Sequence, residues 1–167
     1  QGMKKINYRG KDGFGLYANN AVFYSDDINF KSEKSNFAIG HCLHCVVSKV
    51  KQPFKGKGVL AVNCEIYNWE ELCEKFNIDA KNDAELFFEL LEKFGVEKAL
   101  DFVDGDYAGV YYYNSKIYLF RDRIGVKPIW YSLSNGLVFS SERKVLRDFN
   151  FDNISELNPR ELLVYDT

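Results

Sequence analysis

The stretch His41-Cys42-Leu43-His44-Cys45 places two thiols and two imidazoles within five residues. Both are common ligands of zinc and related metals, so the spacing invites a metal reading. It holds a single Cys-x-x-Cys pair, however, and on an extended strand Cys42 and Cys45 point to opposite faces. No metal site is expected there. The same alternation places His41, Leu43 and Cys45 together on one face. Nucleophilic chemistry at Cys45 or Cys64 would need a dedicated base, and the sequence sets none beside either. Gly10, Gly13 and Gly15 are spaced as in a phosphate loop, but no helix opening on Lys-Ser or Lys-Thr follows them.

The elements that must position these groups come from periodicity. Short strands are expected near 14–18 and 21–25, turning at Asn19-Asn20, and longer ones over Phe37 to Val47 and Val59 to Ile66. The last is apolar enough to be covered on both faces. Trp69 to Phe76 predicts a short helix with Asn68 as its N-cap. Leu86, Phe87, Leu90, Leu91 and Phe94 mark one apolar stripe of a helix from Asp83 to Phe94, stopped by Gly95. A third helix covers Val96 to Phe102. Strands at 106–113, 116–122, 129–133 and 137–140, a helix over 141–149 and a strand at 161–165 complete the chain. Strands, then helices, then strands again point to an α+β fold with antiparallel sheets.

One domain is expected, since no linker or repeat divides the 167 residues. Gln1-Gly2 is read as a tag remnant, leaving 3–167 as the domain. Aromatics at 16% favour a sheet-rich core with bulky layers. The net charge of −2, with both signs mixed along the chain, offers no nucleic-acid surface. No apolar run is long enough to cross a membrane. The four cysteines do not form a disulfide-dense pattern, so a cytoplasmic location is expected.

Four further stretches carry a resemblance. Asn63-Cys64-Glu65-Ile66-Tyr67-Asn68 is close to a family N-G-E-I-Y-N, and Arg9-Gly10-Lys11-Asp12-Gly13 to R-G-P-D. Arg121-Asp122-Arg123-Ile124-Gly125-Val126-Lys127-Pro128 is similar to R-D-R-x-G-x-K-P, and Phe139-Ser140-Ser141-Glu142 to F-A-S-E. Taken in chain order and at their spacing, they resemble the class II glutamine amidotransferase domain of asparagine synthetases, from Arg9 to Asp166. The resemblance implies an Ntn-hydrolase-like four-layer αββα sandwich, with two antiparallel sheets flanked by helices.

It also implies a chemistry. An N-terminal cysteine, with its own α-amine as base, attacks the side-chain amide of glutamine. An oxyanion hole and charged groups for the substrate's carboxylate and ammonium complete the site. The family's nucleophile opens a strand well ahead of the R-G-P-D match, whereas only Met3 to Tyr8 precede Arg9 here. The carboxylate-binding arginine aligns with Leu43, which cannot replace a guanidinium. Asn63 and the Cys64 N–H keep the oxyanion donors, Asp83 matches the ammonium-binding aspartate, and Val46 and Glu65 fall at substrate-binding positions. Without the resemblance, Asn63 would be read as bonding nearby backbone and Asp83 as capping its helix. Arg121, Asp122 and Arg123 suggest an ion-paired turn, and Trp69, Trp130 and the run Tyr111-Tyr112-Tyr113 suggest packing.

The first expectation is a pseudoenzyme: a glutaminase-like domain with no catalytic residue, which binds or regulates a synthetase. Its partner would be an asparagine-synthetase-type ATP-binding domain, in cis or in trans, and only that domain would need ATP and Mg²⁺. A glutamine-like small ligand and self-association fit the same picture. A second expectation is an active glutaminase whose first strand lies upstream, behind a Met-Cys-Gly start. A third is a sensor of small amides or amino acids.

Overall fold

A computed structural model gives the fold and describes residues 1–29, 34–44 and 50–167. The elements in chain order are α1 (Gly2–Ile6), β1 (Gly13–Ala18), β2 (Ala21–Ser25), β3 (Ala38–Leu43), β4 (Phe54–Lys55) and β5 (Val59–Ile66). There follow α2 (Trp69–Phe76), α3 (Asp83–Phe94), α4 (Val96–Phe102), β6 (Gly105–Tyr113) and β7 (Lys116–Arg121). The chain ends with β8 (Trp130–Ser132), β9 (Val138–Ser140), α5 (Arg143–Asp148), β10 (Ser155–Glu156) and β11 (Leu162–Asp166). α1, β4 and β10 had no counterpart in the sequence pattern. They are five, two and two residues long, too short for either periodicity to register.

The central layer is an antiparallel sheet of order β11-β7-β6-β5-β4. Its strands alternate between two cores, as a period of two requires. Leu60, Val62, Tyr107, Tyr111 and Phe120 face the helices. Val59, Ala61, Ala108, Val110 and Leu119 face a second β layer. On the helical side, Leu86, Phe87 and Leu90 of α3 are completely buried. Each such side chain contributes roughly 1.5–3 kcal/mol relative to exposure, which is why the stripe on α3 dictates its docking. Asn82 caps α3 by accepting the Glu85 N–H at 2.9 Å, and Gly95 ends it at φ +80°.

The second β layer is split. One piece has order β2-β1-β3 and the other β10-β8-β9, both antiparallel. Tyr17 and Ile39 of the first, and Ile129 and Leu157 flanking the second, share the core beneath β5–β7. Outside this layer lie α1, packed on β3, and α5, packed on β8 and β9. Helices, sheet, sheet and helices make the α+β sandwich that was expected, with its second sheet in two parts.

Two local expectations need correcting. Asn68 sits at the N-cap position of α2 without capping it. Its amide instead donates to the Phe102 carbonyl at 2.9 Å and accepts the Asp104 N–H at 3.0 Å, tying α2 to the end of α4. The Arg121–Arg123 turn is not held by ion pairs among its own residues. Asp122, almost wholly buried, accepts the N–H groups of Ile124, Gly125, Val126 and Lys127 at 2.5–3.1 Å. Arg121 pairs with Glu156 outside the turn and donates to the Leu157 and Gly125 carbonyls. Among the described residues, no helix is long and apolar enough to cross a membrane.

Candidate functional site

The split in the second layer opens onto a cleft of about 1790 Å³ whose floor is β5 and β6. Leu43, Asn63, Cys64, Glu65 and Asp83 all line it, so the structure brings together the site residues it describes. Val46, also expected here, and Cys45 lie outside the described residues.

The edge of β5 sets the geometry. β4 pairs only with Val59 and Leu60, so beyond that point no strand among the described residues lies on the outer side of β5. Even-numbered residues direct their peptide groups there. The Val62 N–H goes to Gln52 Oε1 at 2.8 Å, and the Ile66 N–H to Asp83 Oδ2 at 3.0 Å. By the same period of two the Cys64 N–H points to this open edge, and it has no partner among the described residues. Asn63 faces the opposite way from Cys64, on the side of Val59 and Ala61. Its side chain is exposed in the cleft, also without a partner among the described residues. Two unspent donors thus sit on adjacent residues. Asp83 stands next to them, joining the end of β5 to the start of α3 through Ile66 and Ala84. Each of its oxygens can still accept a further hydrogen bond.

A match to the glutamine amidotransferase domain spans residues 1–165. The chain belongs to that family. Its curated relatives include asparagine synthetase [glutamine-hydrolyzing] 2 of Bacillus subtilis, 37% identical over 84% of this chain and 18% of the relative. Another is the asparagine synthetase [glutamine-hydrolyzing] of Gallus gallus, 32% identical over 93% of this chain and 28% of the relative. The match covers only 22% of a mimivirus relative and 35% of one from Methanocaldococcus jannaschii, so the chain spans a minor part of its relatives' length. Among solved structures, glutamine phosphoribosylpyrophosphate amidotransferase from B. subtilis superposes with a TM-score of 0.83. It covers 99% of this chain and 43% of that one at 19% identity. The fold is therefore that of an Ntn-type amidotransferase domain.

Within the amidotransferase domain, no described thiol at the cleft is poised to ionise. Burial, the adjacent Asp83 charge and a hydrogen bond to Asp83 push the Cys64 thiol well above its usual pKa, against a smaller pull from Lys127. Burial pushes Cys42 to about 11. Nor do the described residues of the Cys-x-x-Cys stretch, His41 to His44, converge on a metal site. His41 lies 3.3 Å from the Val62 carbonyl, the Cys42 thiol points to the Met3 carbonyl, and exposed His44 sits 3.6 Å from Asp12. Of the three glycines whose spacing is that of a phosphate loop, Gly10 and Gly15 serve close packing. A Cβ on Gly10 would lie 2.5 Å from the Leu43 backbone, and one on Gly15 would lie 1.8 Å from the Gln52 carbonyl oxygen.

Two residues at the cleft were missed from sequence. Gln52 is buried and completes the Val62 N–H, yet a glutamine before a proline carries no pattern that separates it from a loop residue. Lys127 lines the cleft with its N–H anchored on Asp122, and its ammonium has no ion-pair partner among the described residues. Its motif was visible, but its direction was not.

Proposed function

We propose that this amidotransferase domain binds the carboxamide of glutamine or a related amide without hydrolysing it by its own described thiols. The observation that carries this reading is the pair of unspent donors, the Asn63 amide and the Cys64 N–H, on one exposed strand edge beside Asp83. Donors of this kind stabilise an amide oxygen, and the carboxylate of Asp83 suits an ammonium group. Leu43, buried at 8% exposure, offers no charge to a ligand carboxylate, whereas Lys127 does. The relatives' names, and the fraction of them this chain spans, support a role beside an asparagine-synthetase-type ATP-binding domain, in cis or in trans. ATP and Mg²⁺ would belong to that domain. A cytoplasmic setting, which keeps the thiols reduced, suits this role.

Calorimetric titration with glutamine, run beside a glutamate-release assay, tests the proposal. Heat of binding with no glutamate above background is the expected result. Catalytic glutamate release by this chain would overturn it, and a silent titration would leave only a scaffolding role. The intact donor pair also fits a second reading, an active glutaminase whose nucleophile comes from outside these residues. That reading predicts glutamate release by the native full-length protein.

A further inference from the structure

Val62 immediately precedes the two donors, and neither of its peptide groups is bonded by a neighbouring strand on the open side of β5. Both are nevertheless bonded. Gln52 Oε1 accepts the Val62 N–H at 2.8 Å, and His41 Nε2 lies 3.3 Å from the Val62 carbonyl oxygen. A carbonyl can only accept, so Nε2 carries the proton and donates. His41 Nδ1 is then a bare acceptor, and it is buried without a partner. The two side chains come from separate segments. His41 lies opposite Gly15 in the β1–β3 pairing, and the absent Cβ of Gly15 leaves the space that the Gln52 carbonyl occupies. Gly15 therefore lets the chain pass between the layers so that Gln52 and His41 reach one residue of β5 from the same side.

We propose that Gln52 and His41 are positioning residues, which substitute for a strand along the open edge of β5 and fix how Asn63 and Cys64 present their donors. The planar peptide explains how. The Val62 carbonyl and the Asn63 N–H belong to one rigid unit, and the Val62 N–H to the unit before it. Holding both sets the orientation of the chain entering Asn63. Without the two side chains, a buried N–H and a buried carbonyl would be left unpaired in the layer beneath the site, and the edge would shift to find partners. This inference deepens the proposed amide-binding role and rests on it for its functional meaning, though not for its structural one.

The experiment combines glutamine titration with ¹H–¹⁵N spectra of the full chain. Gln52→Leu removes the acceptor, and Gln52→Glu keeps a side-chain oxygen at the same reach. Gln52→Leu should move the Cys64 backbone and Asn63 side-chain resonances and weaken glutamine binding on the order of tenfold, with both effects reversed in Gln52→Glu. A folded Gln52→Leu with unchanged resonances at both positions overturns the proposal. Should wild type bind no glutamine, the amide-binding role fails, while the resonances still decide the positioning claim. Should both variants fail to fold, the ¹⁵N spectrum of wild-type His41 decides. A proton on Nε2 supports the clamp, and a proton on Nδ1 refutes it.

Discussion

Two stretches with family-like motifs handle their polar groups in opposite ways. In the loop after β7, the Asp122 carboxylate takes four consecutive N–H groups and the Arg121 guanidinium bonds the Leu157 and Gly125 carbonyls. The apolar side chains of the loop, Ile124 at 84% and Val126 at 50% exposure, contribute little to holding it. Its shape comes from the hydrogen bonds of these two charged groups, with Arg121 Nε left buried and unpartnered among the described residues. Along the outer edge of β5 the bonding stops short. Val62 and Ile66 are held, and Cys64 and Asn63 between them are left with donors facing the cleft. Motif likeness alone does not distinguish such regions. The location of unpaired donors at the cleft does, because a folded chain rarely leaves them unless something else completes them.

The loop held by Asp122 gives the largest expected effect. Burial works against ionisation of Asp122, and the four N–H groups outweigh it, holding its pKa below the ordinary value. Asp122→Ala should cost about 4 kcal/mol, since charge-assisted bonds are individually strong and the orphaned N–H groups regain only part of their hydration. The urea midpoint measures this. A loss below about 1 kcal/mol would mean that the loop is held by something other than its carboxylate.

Next comes acid sensitivity near the cleft. Burial lowers the His41 pKa from 6.5 to about 4, with the bond to the Val62 carbonyl opposing the shift. The unfolded chain therefore takes up a proton between those values that the folded chain refuses. Stability is complete above pH 6.5 and falls as the pH drops towards 4, by on the order of 3 kcal/mol in all. Urea unfolding of wild type and His41→Gln at pH 7 and pH 4.5 isolates this contribution, because the carboxylates are common to both proteins and cancel in the comparison. Parallel behaviour of the two proteins would show that His41 titrates normally.

Affinity effects at the open edge are smaller. Asn63→Ala should weaken glutamine binding about tenfold, near 1.4 kcal/mol, and leave the unfolding midpoint unchanged because the side chain is exposed. Lys127→Met should weaken glutamine while sparing an amide that lacks a carboxylate. Equal losses for both ligands would remove Lys127 from carboxylate recognition.

The sequence made the elements legible wherever a period ran for a turn and a half or more. The stripe on α3 and the unbroken apolar run of β5 specify their own burial. By alternation alone it also placed His41 and Leu43 on one face of β3, and the structure turns that face inward. The edge of β5 was not legible, because its openness follows from where β4 ends, and two residues of strand leave no periodic trace. Gln52 and the direction of Lys127 were hidden for the same reason. Their roles depend on what crosses over Gly15 and on how Asp122 folds the following loop, both of which are contacts distant in sequence.

Cys64 sharpens the comparison at its smallest scale. The position was expected to donate through its backbone, and the structure separates that donor from the thiol. The N–H lies along the open edge, while the side chain packs towards the helical core and meets Asp83. A thiol held protonated by burial and an adjacent carboxylate is a poor nucleophile. Cys64→Ala should therefore keep glutamine affinity within about twofold, well under the roughly 1.4 kcal/mol of a tenfold change. Alkylation of wild-type Cys64 at neutral pH should be slower than that of the less buried Cys73 and should speed up on unfolding. If Cys64→Ala instead abolishes binding, the ligand is held by the sulfur and not by the strand edge, and the contrast between a spent loop and an open edge no longer locates the site.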